Sequence, residues 1–379
     1  MRSTKGIGCL VAVGLIGLGA SAASADAKWY DAIALSGYTQ ASYVANLNDP
    51  RNSSGQKQSN TGRQFDTESN GFSFNTFLLQ IAKPVGDDHV GFTVRLRTGQ
   101  DAGVLSGTSS TQFFVQEGYV TYAATSKLSL IGGKFVTPEG YEVVDTVANP
   151  NFSEGLLFTY AEPITHTGVK ANYTFSDKVN ATLGLVNGWD VAPDNNTGKT
   201  ILWQVVATPI KPFAWYFQGL YGKELADPTH SQRLSLDSVA TYTMGKLSLA
   251  GQVNWGQQTN DTNVPTNGGT AAGVSHWSGA GVWASFAETD KCTSTVRFEV
   301  LKDENFANRF SLASTFPRTG TTNQTVKEIT FTQKHMFTSS FGTRVEFRHD
   351  WSNQAYFQKH DGSNVRNQNT ISSDWFVTF

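Results

Sequence analysis

Beyond residue 25 the chain has no run of about 18 apolar residues, so a membrane-spanning helix is excluded there. Cysteine is almost absent. Of the 2 cysteines in 379 residues, Cys9 lies in the N-terminal apolar stretch and Cys292 stands alone. A chain processed after residue 25 therefore has no intramolecular disulfide and no cysteine-based metal site. Charge is sparse as well: Asp, Glu, Lys and Arg make up 16%, with no basic cluster of the kind a nucleic-acid partner needs. No GxSxG, HExxH or P-loop pattern occurs. The adjacent His349 and Asp350 fall on an alternating segment and point to opposite faces, so they cannot act as a pair. The expectation is no enzyme, no cofactor and no metal; acids in connections, such as those at 303–304 and in 190–196, read as solvated.

What the chain does contain is aromatic residues (12%), 36 Gly and a strong period of two. Its start has Arg2 and Lys5, an apolar stretch over 7–18 and the small residues Ala23-Ser24-Ala25. This predicts a secretory signal over 1–25 with cleavage after Ala25. Cys9 precedes most of the apolar stretch rather than following it, which does not suit a lipoprotein anchor. Loss of Arg2 and Lys5 takes the formal net charge from −2 to −4.

In 341–351 the odd positions Phe341, Thr343, Val345, Phe347, His349 and Trp351 are largely apolar, whereas Arg344, Glu346, Arg348 and Asp350 alternate with them. Such a segment is a strand with one face towards lipid or a core and one towards water. Further strands are expected at 33–46, 71–83, 90–99, 112–123, 127–136, 165–175, 179–189 and 200–209. The rest fall at 214–222, 233–244, 247–257, 276–286, 293–302, 325–336, 341–351 and 369–379. An even number near sixteen suits a closed transmembrane antiparallel β-barrel over 26–379. The final segment Asp374-Trp375-Phe376-Val377-Thr378-Phe379 alternates and ends in phenylalanine, as expected of an exported barrel.

Connection lengths alternate between short (84–89, 124–126, 210–213, 245–246) and long (47–70, 137–164, 258–275, 303–324). A soluble sandwich has no reason to sort its loops by parity; a barrel with periplasmic turns and extracellular loops does. Trp189, Trp203, Trp255, Trp277 and Trp351 fall towards the long-loop ends, and Trp29, Trp215, Trp283 and Trp375 towards the short-turn ends, as two interfacial belts would. Residues 47–70, rich in Asn, Ser, Gln and Gly, read as a mobile surface loop with little to bury.

Parity also selects the residues facing the lumen. An Arg or Lys on the lipid face near the midplane costs about 2–4 kcal/mol. Arg95, Arg97, Lys170, Arg297, Glu299, Arg344, Glu346, Arg348 and Asp350 are therefore expected to line the pore. The third long connection, 137–164, mixes Glu139, Glu142, Asp145, Glu154 and Glu162 with Tyr141, Val143, Val144, Phe152, Leu156, Leu157 and Phe158. So apolar a loop is expected to fold into the barrel, where its acids would face Arg95 and Arg97 and set a transverse field across a constriction.

The stretches Gly133-Lys134-Phe135-Val136-Thr137-Pro138-Glu139-Gly140-Tyr141-Glu142, Asn149-Pro150-Asn151-Phe152-Ser153 and Thr165-His166-Thr167-Gly168-Val169 resemble the beta-barrel porin family of OmpL-like outer-membrane proteins. The resemblance implies an outer-membrane porin of a Gram-negative bacterium, with outer-membrane lipid around it and small hydrophilic solutes or ions inside. It supplies no catalytic residue. Lys134, Tyr141, Glu142, Asn149 and His166 match its motif and are expected to shape the third loop. A homotrimer is the expectation that general porins suggest for sixteen strands. The rival expectation is a non-conducting barrel that acts through its loops as a structural, adhesive or receptor surface.

Overall fold

The computed structural model describes residues 30–107, 113–226, 231–261, 273–304 and 323–379. The expected signal, Cys9 and Trp29 lie outside them. In chain order the first strands are β1 (Ala34–Asn46), β2 (Gly71–Lys83), β3 (Val90–Thr98), β4 (Phe113–Ala123), β5 (Leu128–Val136) and β6 (Thr165–Ser176). The next are β7 (Val179–Val186), β8 (Thr200–Ile210), β9 (Phe213–Gly222), β10 (Arg233–Met244), β11 (Leu247–Asp261) and β12 (Gly273–Ala287). Last come β13 (Cys292–Glu304), β14 (Gln324–Met336), β15 (Phe341–Ser352), the two-residue strands β16 (Phe357–Gln358) and β17 (Asn364–Val365), and β18 (Asn367–Thr378).

Each strand of the wall pairs antiparallel with its sequence neighbours, and β1 pairs with β18, so the sheet closes into a barrel of sixteen strands; β16 and β17 form a separate ribbon. Alternation explains the closure. In β15, Val345 and Phe347 are 52% and 43% exposed on the outer face, whereas Arg344 and Arg348 are 0% exposed inside. The outer apolar row suits lipid, and closure leaves no backbone edge unpaired in a medium that offers no hydrogen bonds.

Connections alternate in length as the sequence suggests: two residues between β10 and β11, against 28 between β5 and β6. The expected strands all occur, but β7 stops at Val186 rather than 189, because the chain turns at Gly188 and Asp190, both with positive φ. Asp190 then caps the neighbouring backbone, accepting the Ile164 and Thr165 N–H groups at 2.8 and 2.7 Å.

Three expectations need correction. The first is the loop 47–70, which does not lie on the surface with little to bury. Arg63, Phe65 and Asp66 are buried in the mouth, and Arg63 bonds to Asp66 (2.7 Å) and to Asp350 on the wall (2.6 Å). The wall carboxylate is the physical reason, since once enclosed it needs a cation. The second concerns the tryptophan belts. Trp215, Trp255 and Trp375 face outwards, but Trp277 and Trp283 are 0% and 2% exposed inside the barrel, and Trp189 packs edge-on against Trp277. Odd positions of β12 face inwards, and parity overrides the interfacial preference of the indole. The third is that Asp190 and Asp303 are not simply solvated: Asp190 is held as above, and Asp303 is buried.

Candidate functional site

Residues 137–164 enter the lumen and cross it twice. The outgoing limb follows the wall. Gln204 of β8 donates to the Pro138 carbonyl (3.1 Å), Ser235 of β10 donates to Glu139 (3.0 Å), and the Tyr141 N–H donates to Gln252 of β11 (3.1 Å). The Tyr141 ring lies against Trp283 of β12, with centroids 4.7 Å apart. Glu142 then turns the chain across the lumen. One of its oxygens accepts from Arg297 (2.6 Å) and Trp283 (3.3 Å), and the other accepts the Gly155 N–H (2.6 Å).

On the opposite wall Asp145 meets β3, where it pairs with Arg95 and, at 2.8 Å, with Arg97. The loop tip is held from β15. Arg344 donates to the carbonyls of Thr146, Asn149 and Asn151 at 2.8, 3.0 and 2.7 Å, while its other edge pairs with Asp374 of β18 (2.8 Å). Glu346 accepts the Phe152 and Ser153 N–H groups at 2.7 and 3.1 Å. Arg348 donates to the Glu154 carbonyl (2.6 Å), Arg297 to that of Ser153 (2.6 Å), and Glu299 accepts the Leu156 N–H. An irregular backbone taken into the lumen must satisfy its own N–H and C=O groups, and the planar, multi-donor guanidinium suits several carbonyls at once.

The return limb begins with a short helix, α1 (Leu156–Tyr160). Its Leu157 rests on Gly279 of β12, where an added Cβ would stand 2.4 Å from the leucine Cδ2. Tyr160 faces Tyr356, with the two hydroxyls 3.1 Å apart, and thereby joins the loop to the segment carrying β16 and β17.

All nine wall residues selected by parity lie on inward-facing positions. The structure does not bring them together as an open transverse field. Arg95 and Arg97 form direct ion pairs with Asp145, Arg95 with Glu117, and Arg97 with Asp101. Asp350 pairs with Arg348 (2.8 Å) and Arg63. Lys170 is half-buried over the Phe135 ring, 4.1 Å from its centroid, and has no ion pair among the described residues. Of the loop acids, Glu139, Glu142 and Asp145 bond to the wall. Glu154 stays within the loop, where it accepts from Asn149 (2.9 Å).

The motif residues brace the loop. Asn149 ties its own segment by bonds to both the N–H and the carbonyl of Val143, at 2.9 and 2.8 Å. His166 spans the loop base, with Nδ1 2.8 Å from the Gly188 carbonyl and Nε2 3.2 Å from Thr137 Oγ1. Lys134 instead lies on the outward parity of β5, 3.8 Å from the Phe114 ring centroid, and donates to the Val115 carbonyl (2.9 Å). Sequence reasoning missed Gln40, Asp237, Glu328 and Asp374. The same parity that selected Arg344 could have found the two aspartates. Nothing local marks Gln40.

A closed sixteen-stranded barrel with an apolar exterior, a charged interior and its third loop folded inside is the architecture of an outer-membrane porin. Residues 32–379 match the family described as putative beta-barrel porin-2, OmpL-like, and the chain belongs to that family. No curated protein matches the chain. Among solved structures it is similar to the anion-selective porin from Comamonas acidovorans, with 11% identity over 92% of this chain and 99% of that one and a TM-score of 0.62. It is also similar to Salmonella typhi OmpF in complex with daunomycin (14% identity, 93% and 99% covered, TM-score 0.61). A third is OmpT, an outer-membrane protein of Vibrio cholerae, in its trimer form (12%, 92% and 99%, 0.59). At such identities these likenesses speak for the fold. The bacterial outer membrane is the location of the family and of the barrel.

Proposed function

We propose that the protein passes small hydrophilic solutes and ions passively, without catalytic turnover, and that residues 137–164 are its gate. The observation that carries this reading is the chemistry of the contact between loop and wall. The tip is held mainly by hydrogen bonds and ion pairs, which water can replace when the loop shifts; a dry apolar plug offers no such exchange. Once water enters, the lumen has an excess of acids. Glu154, Glu162, Asp237, Glu299 and Glu346 have no ion pair among the described residues, against Lys170 as an unpaired inward cation. Cations are therefore the favoured species in the open state. Three copies assemble, on the precedent of the trimeric neighbour.

The test is planar-bilayer recording of the refolded protein under a KCl gradient. Expected are conductance levels in groups of three and a reversal potential of the sign that cation preference gives. Glu346→Gln, which weakens the acceptor for two loop N–H groups, raises the open fraction. The full burial of Arg97, Arg297, Arg344 and Arg348 favours a second reading, a barrel closed at rest that acts through its outer loops. Silence from folded wild type and folded E346Q alike would select it.

A further inference from the structure

The outer face of the wall carries charge that the pore does not use. On β13 the outward row runs Val296, Phe298, Val300 and Lys302, while Leu301 and Asp303 between them are buried. Lys327 of β14 continues this face, with Val300 beside it on one side and Trp351 of β15 on the other. Both lysines lie at the long-loop ends of their strands, at the outer surface of the membrane. Neither has a hydrogen bond or an ion pair among the described residues. Lys302 stands beside Thr325, two residues from Lys327, and such a diagonal brings side chains to about 7–8 Å from one another. Two unpaired ammonium groups at that spacing repel, and an anion held between them relieves both. Glu304, the next outward residue on β13, does not line the groove that the lysines close.

The surroundings define the anion. Below the lysines the groove, about 630 Å³ in volume, runs over Val300, Phe298 and Trp351, with the two rings 6.2 Å apart. Phe298 also borders a second cleft of about 410 Å³ lower on the wall, lined by the apolar Leu249, Val282, Ala284 and Val296 and by Gly251. Gly251 leaves room there, since an added Cβ would meet nothing nearer than the Gly281 carbonyl oxygen at 4.0 Å. Phe298 is four residues below Lys302, about 13 Å along the strand. That is close to the depth of one leaflet, half of a hydrocarbon core of about 30 Å. A free phosphate needs the lysines alone; a charged head above an apolar path of this depth fits a lipid. We propose that this face seats a phosphorylated, acylated glycolipid of the outer leaflet. Its phosphate lies between Lys302 and Lys327, and one acyl chain runs past Phe298 into the cleft. The lysine stems lie along the apolar wall while their ammonium groups reach the headgroup level.

The experiment is native mass spectrometry of the refolded protein in a nonionic detergent, titrated with lipid A that carries two phosphates. One lipid per chain is expected. Affinity should fall at least about tenfold when Lys302→Gln and Lys327→Gln are combined, and by a similar factor for lipid A stripped of its phosphates. Lys211→Gln, on an exposed short turn at the other end of the barrel, should leave it unchanged. Gly251→Leu fills the cleft without touching the lysines and should weaken binding as well. Folding of each variant is checked by heat-modifiable electrophoretic mobility. Wild-type affinity in the folded double variant, or equal retention of dephosphorylated lipid A or of phosphatidylglycerol, overturns the site and leaves two lysines that merely reach for headgroup water. Displacement of the lipid by millimolar glucosamine 1-phosphate, or unchanged retention in folded G251L, overturns the lipid as occupant.

Discussion

Glu162 has a carboxyl raised above its ordinary value of 4.5 in the folded protein, first by burial and then by four neighbouring acids. The fold therefore prefers the neutral form. Its unfavourable contribution is absent below pH of about 4.5, grows as the pH climbs through that value to the raised folded one, and persists above it. The urea midpoint of the wild type should fall across this window, and Glu162→Gln should remove that part of the slope. Wild-type and E162Q curves that run parallel above about pH 4.5 would refute the raised carboxyl. At this scale the sequence was half legible. Parity oriented Arg297, Arg344, Glu346 and Arg348 correctly, because a charge on the lipid face is too costly. It could not name their partners, since Arg344 reaches carbonyls almost 200 residues away in sequence.

Elements of period two were legible almost to their ends, because each wall strand carries its apolar row on one face throughout. Connections were not. Residues 47–70 have the composition of a solvated loop, yet their Arg63 is claimed by Asp350, a partner that no local pattern reveals. The helix α1 was equally hidden; it is one turn and a half long and exists because Gly279 leaves room for Leu157. Substituting Gly279→Ala places a Cβ 2.4 Å from Leu157 Cδ2 and 2.9 Å from the Val300 carbonyl oxygen. Overpacking of this kind costs about 1–3 kcal/mol. The expected outcome is a lowered urea midpoint together with more frequent openings in the bilayer, because the helix is pushed off β12. A stabilised or unaltered barrel with an unaltered gate would show that α1 does not bear on β12.

Across the whole molecule, the loop tip is also tied to the seam at which the barrel closes. Asp374 of β18 accepts from Gln40 of β1 (2.7 Å) and pairs with Arg344 of β15; Gln40 in turn accepts from Thr146 of the loop, and Arg344 donates to the Thr146 carbonyl. Arg344→Met keeps most of the volume but takes from Asp374 its cation and from the Asn149 and Asn151 carbonyls this donor. Loss of one partner of a buried pair costs about 3–5 kcal/mol, so urea unfolding in micelles, followed by tryptophan emission, should show a loss of that size. A change below about 1 kcal/mol would mean that water reaches the seam. The seam also has a consequence in time. Tyr38 lies beside Thr378, and Asn46 beside Thr370, so the wall closes only when β18 finds β1. Contacts of such sequence separation form late and slowly, and until then β1 and its far counterpart are bare edges that recruit other chains. The loop tip cannot settle fully earlier, because Gln40 and Arg344, which both bond Thr146, are brought together through Asp374. A copy halted before β18 therefore threatens the cell as a nucleus of aggregation and not as a leak.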